Sequence, residues 1–118
     1  MLPSDDERLE YLVALGGQLA PMTAEDKTTE NAVLGCAANV WIAPNYAGDK
    51  LDFAFASDAK IVSGLLFILS LVFNGKTRAE ALEVDADAVF KRLGLDDILT
   101  SNRIVGVASA VEKIKNSL

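Results

Sequence analysis

Apolar residues change their spacing several times along the chain, and each change marks an element. Ser4 and Glu7 form a capping-box pair, after which Leu9, Leu12 and Val13 recur at helical spacing until Gly16 and Gly17 stop the run, predicting an amphipathic helix. Pro21 to Glu30 is polar and rich in turn formers. From Val33 to Ile42, β-branched and aromatic residues flank Gly35 and Cys36, a pattern of strand, tight loop, strand. Asn45 to Lys50 is a turn cluster, beyond which Leu51, Phe53 and Phe55 alternate with Asp52, Ala54 and Ala56. That period of two predicts another strand, pairing back across a hairpin.

At Ser57 the period lengthens again. Lys60, Ser63 and Ser70 fall on one narrow polar stripe and the rest is apolar, so a helix capped by Ser57 or Asp58 should lie against the sheet and under other helices. Gly64 inside it carries a penalty of roughly 1 kcal/mol relative to Ala, for which close packing against the sheet is the natural reason. Thr77 with Glu80 is a second capping box, opening a short helix to about Glu83. Asp85 can cap another that ends at Leu93, with Gly94 as its stop. Thr100 or Ser101 starts the last helix, whose apolar face is Ile104, Val107, Ala108, Val111 and Ile114. Strands early and helices late describe an α+β domain, and 118 residues suit a single one spanning 1–118.

Composition narrows the chemistry. The chain has no histidine and one cysteine, Cys36. Ser-His-Asp and Cys-His pairs are therefore excluded, as are imidazole acid/base catalysis, an internal disulfide and a CxxC redox pair. Thiolate and imidazole metal shells cannot be built within one chain either, so a metal would need carboxylates alone; these do not fall in the calcium-loop pattern, and no metal is expected. Eleven basic residues against 17 acidic ones give a net charge of −6 with no basic run, which makes nucleic acid and anionic membranes poor partners. Four acidic residues within Met1–Glu10 do not suit a secretory signal. The longest apolar stretch, Ile61 to Phe73, would span only about 20 Å as a helix and reads as core.

Two readings of Cys36 stand at this level. A free cysteine in a small domain is commonly an inert buried hydrophobe. Gly35 before it and Ala37 and Ala38 after it leave little cover around the sulfur, which suits a thiol at a loop tip. Lacking an internal base, such a thiol is poorly equipped to start a reaction but well suited to accept sulfur already activated elsewhere.

The segment Gly35-Cys36-Ala37-Ala38-Asn39-Val40-Trp41 resembles the Gly-Cys-x-x-x-Val-Trp segment of the SufE (CsdE) family of sulfur-acceptor proteins. Ser57-Asp58-Ala59-Lys60-Ile61-Val62-Ser63-Gly64-Leu65 is similar to that family's Ser-Asp-Ala-x-Ile-Val-x-Gly-Leu block. Leu93-Gly94-Leu95, Leu99-Thr100, Arg103 and Gly106 resemble its ending. The resemblance implies a small antiparallel sheet of about three strands packed against several helices. It also implies a cysteine loop that accepts persulfide sulfur from a PLP-dependent cysteine desulfurase of the SufS or CsdA type and passes it to an iron-sulfur scaffold complex. Carried over by position, Cys36 is the acceptor, Gly35 and Ala37 form its loop, and Asp58 and Arg103 lie near it. No cofactor is implied for this chain, since the PLP belongs to the partner, and the expected compartment is the cytoplasm, or an organellar stroma or matrix for a processed form. The chain is then a sulfur-transfer partner rather than a stand-alone enzyme. A regulatory module that docks on a desulfurase without accepting sulfur, and a thiol-based redox protein, are the alternatives. Ala37-Ala38 and Val105 depart from the family pattern.

Overall fold

The structure is a computed structural model that describes residues 5–20, 22–33, 39–94 and 106–118. Helix α1 (Asp5–Gly16) ends where the sequence expects, at its glycine pair. Strands β1 (Val40–Ala43) and β4 (Ala54–Ser57) pair antiparallel, with Trp41 opposite Ala56 and Ile42 opposite Phe55. Residues 31–33 run along the other edge of β1 through a bridge between Ala32 and Trp41, so β1 is the middle of a three-armed sheet. Between β1 and β4, the short strands β2 (Tyr46–Ala47) and β3 (Lys50–Leu51) form a tight hairpin, turning at Gly48 with φ +66°.

The alternating stretch Leu51 to Phe55 is therefore not one strand. Asp52 and Phe53 separate β3 from β4, although Leu51, Phe53 and Phe55 are all buried as the period predicts. The gap is filled by Asn74. Its Oδ1 accepts from the Phe53 N–H (2.8 Å) and its Nδ2 donates to the Phe53 carbonyl (2.9 Å), so a side-chain amide takes the place of a neighbouring strand.

Helix α2 (Lys60–Phe73) is the spine of the domain, and Leu65, Leu66, Leu69 and Phe73 are almost wholly buried in one core with Ile42 and Phe55. Two expectations change here. Its N-cap is Ala59, which makes no side-chain capping bond, while the Ser57 hydroxyl accepts from the Ala59 N–H (3.1 Å) and the Asp58 carboxylate is engaged elsewhere. Gly64 meets α1 and not the sheet: a Cβ built on it would lie 2.6 Å from the Leu12 carbonyl carbon. The missing side chain lets the two helix backbones touch, which no local pattern reveals.

Helix α3 (Arg78–Leu82) opens with the anticipated capping box, Thr77 Oγ1 accepting from the Glu80 N–H and Glu80 Oε1 from the Thr77 N–H. Helix α4 (Ala86–Arg92) is capped by Asp85 and stopped by Gly94 at φ +73°. Helix α5 (Gly106–Asn116) buries Ala110 and Ile114 against the core, and Lys115 Nζ donates to the Val84 carbonyl (2.6 Å). The anticipated starts of the first and last helices, at Ser4 and at Thr100 or Ser101, lie outside the described residues.

The capping box carries a pH prediction. Its hydrogen bonds, from the Thr77 backbone first and then from its side chain, hold the Glu80 carboxyl below its ordinary range. A depressed carboxylate contributes stability that is present above its unfolded-state value and lost as pH falls through the folded one. Hydrogen exchange at the Thr77 amide, corrected for the intrinsic pH dependence, should lose its protection below the usual carboxylate range in the wild type. In Glu80→Ala protection should be low at every pH.

Candidate functional site

The cysteine lies in the chain between Val33 and Asn39, and the described residues at both ends are tied down. At the stalk, the Val33 N–H donates to the Val40 carbonyl (2.8 Å) and the Ile42 N–H to the Asn31 carbonyl (2.8 Å). Asn31 is braced in turn, its Nδ2 donating to the Asp26 carbonyl (2.7 Å) and its N–H to Thr28 Oγ1 (3.2 Å). A polar turn followed by a β-rich run thus becomes an anchored hairpin arm.

Asn39 is held by four hydrogen bonds from the β4–α2 junction. Asp58 grips it with both oxygens, Oδ1 accepting from its N–H (3.1 Å) and Oδ2 from its Nδ2 (2.7 Å). Its carbonyl accepts from Ser57 Oγ (2.8 Å) and from the Asp58 N–H (3.3 Å). Bonds to a carboxylate are stronger than neutral ones, and two parallel ones fix orientation as well as distance. Asp58 can act this way because it sits between a paired strand and the central helix.

Of the residues singled out in the sequence, the structure places Asp58 at the base of the cysteine segment. Gly35, Cys36, Ala37 and Arg103 lie outside the described residues. In the sequence Cys36 is the third residue after Val33 and the third before Asn39. Asn39 and Ser57 join Asp58 at the base of the segment, contacts that the spacing of polar and apolar residues does not predict. The available signals were an amide where an apolar strand begins and two polar residues where strand gives way to helix. Trp41 is half-buried: Val40 and Ile42 turn inward while its ring carries the Lys27 ammonium at 5.2 Å. Among the described residues no helix is long and apolar enough to cross a membrane.

The whole length of the chain, residues 1–118, matches the model of the SufE Fe-S metabolism associated domain. The chain belongs to the SufE family. An uncharacterised SufE-like protein of Rhizobium meliloti is 37% identical over 115 residues, covering 94% of this chain and 82% of the relative. A second, from Rhizobium etli, is 36% identical over 114 residues, covering 93% and 77%. The solution structure of a hypothetical protein from Thermus thermophilus superposes with a TM-score of 0.76 at 18% identity, over 97% of this chain and 83% of that one, a likeness of fold. SufE membership places the chain in Fe-S metabolism, and the α+β expectation is met.

Proposed function

We propose that this SufE domain is a persulfide carrier: Cys36 takes the terminal sulfur from the persulfide of a PLP-dependent cysteine desulfurase and delivers it to an iron-sulfur scaffold complex, in the cytoplasm or in an organellar stroma or matrix. The observation that carries the reading is the match of the whole chain to the family, with its only cysteine in a segment whose two ends are braced by the sheet. In the transfer the Cys36 thiolate attacks the outer sulfur of the donor persulfide. The donor's S–S bond breaks, its cysteine leaves as a thiolate, and a new S–S bond forms on Cys36. No external oxidant or reductant is needed, because one persulfide replaces another. The base, the PLP and the activation of the sulfur belong to the partner, in keeping with a chain that has no histidine.

A PLP-dependent cysteine desulfurase given excess cysteine tests the reading. Wild-type chain should raise alanine formation several-fold by clearing the enzyme's persulfide, and an unchanged rate would count against it.

The Asp58–Asn39 clamp gives the segment a defined base that must remain elastic if Cys36 is to reach into a partner's active site. Asp58→Ala removes two charge-assisted hydrogen bonds at an exposed position, so hydrogen exchange at the Asn39 amide should accelerate roughly tenfold. The melting temperature should move little, because no core side chain is touched. Unchanged exchange would show that the stalk alone holds the base.

A further inference from the structure

A cleft of about 540 Å³ opens between the chain after α1, the β1–β2 corner, the β3–β4 link with the start of β4, and α2. Its size lies within the range of small-molecule sites. Phe53 and Phe55 are buried beneath it and Phe67 is half-buried at its wall. Asp26 and Asp52 both line it and both are exposed, and none of its 14 lining residues is Lys or Arg. Among the described residues neither carboxylate has a hydrogen-bond or ion-pair partner, whereas the carboxylates of Asp58, Glu80 and Asp85 are each occupied by the chain's own N–H groups. The side chains of Gln18 and Asn45 are likewise unpaired among the described residues and add two amide oxygens, while Asn74 is already committed to Phe53.

From this combination we infer that the cleft binds a planar organic cation, a guanidinium or amidinium group on an apolar body. Several separate acceptors around one cleft with Phe67 in its wall match a planar fork of N–H donors better than the compact ammonium of an amine, and such a plane can stack on that ring. Two negative charges with no cation in the lining attract the group, and the half-buried Phe67 offers its apolar body a partner in the wall. Ala43 in the cleft's lining lies four residues from Asn39, about 13 Å along the strand from the base of the cysteine segment. The site needs neither Cys36 nor sulfur transfer, so the two readings fail separately.

Nitrogen-15 NMR of the full chain, titrated with benzamidine and in parallel with its neutral near-isostere benzamide, tests the site. Benzamidine should shift the Asn74 side-chain amide and the Ala54 and Phe55 backbone amides saturably, leave Ala81 in α3 unmoved, and bind at least about tenfold more weakly to the Asp26→Asn/Asp52→Asn double variant. Equal shifts from benzamide, an unaffected double variant, or no saturable shift at these residues would overturn the proposal. The source of the cation is read from two further probes: tighter binding of N-acetyl-arginine methylamide points to an arginine side chain of a protein, and tighter binding of free arginine to a small molecule. Failure of both to displace benzamidine counts against the guanidinium form.

Discussion

Gly64→Ala should lower the melting temperature by roughly 10 °C, although every local rule says that it stabilises a helix. In the middle of a helix the exchange is worth about 1 kcal/mol in alanine's favour. Against that stands the Leu12 backbone: the new Cβ would lie 2.6 Å from its carbonyl carbon and 2.8 Å from its Cα, with the carbonyl oxygen closer still. Backbone cannot swing aside as the end of a flexible side chain can, so α1 must move off α2 as a unit, taking Leu12 with it. Leu12 is 0% exposed. Overpacking a tight core costs about 1–3 kcal/mol and more where backbone must shift, so a net loss near 3 kcal/mol is expected. For a domain of this size that corresponds to roughly 10 °C. Gly16 faces the same contact, its Cβ falling 2.8 Å from the Gly64 nitrogen. Gly17→Ala is the control, since the nearest atom would be 3.4 Å away and the backbone needs no positive φ there. It should be neutral or slightly stabilising. A Gly64→Ala protein that melts higher than wild type would show that propensity rules and that the helix contact is looser than described.

Cys36→Ser should abolish sulfur acceptance and leave the fold intact. A hydroxyl is a poor nucleophile toward sulfane sulfur at neutral pH and forms no persulfide, so acceptance should fall below detection rather than merely decline. The chain has no second thiol to substitute. Stability should change little, because the stalk bonds at Val33 and Ile42 and the Asn39 clamp are made by other residues. Coincident thermal melts of the two proteins check that half of the expectation. A domain that only docks on a desulfurase and activates it would stimulate equally with and without the thiol.

The parts of the fold written in local chemistry are legible in the sequence itself. Thr77 with Glu80, and Asp85 with Gly94, satisfy helix ends within three to nine residues, so the pattern contains both partners. The parts that depend on distant partners are not. Asp58 reads as a helix cap until Asn39, 19 residues earlier, is seen to occupy its carboxylate. Leu51 to Phe55 reads as one strand until Asn74, 21 residues on, takes the backbone of Phe53. Gly64 announces that something lies close, and only the packing says that it is α1. For the site, the sequence supplied the thiol and its neighbours by resemblance, whereas the brace at the base of the segment came from the structure. The apolar groove between Tyr11, Leu71 and Leu93, all substantially exposed, was not visible in the spacing either, because its three sides come from α1, α2 and the end of α4.

Whether Cys36 carries sulfur is read from intact-mass spectrometry. The chain is incubated with a PLP-dependent cysteine desulfurase and cysteine, separated without reductant, and weighed. A gain of about 32 Da, one sulfur atom, is expected, located on Cys36 by peptide mapping, removed by dithiothreitol and absent in Cys36→Ser. An unchanged mass, under conditions where the desulfurase is itself persulfidated and turning over, would contradict it.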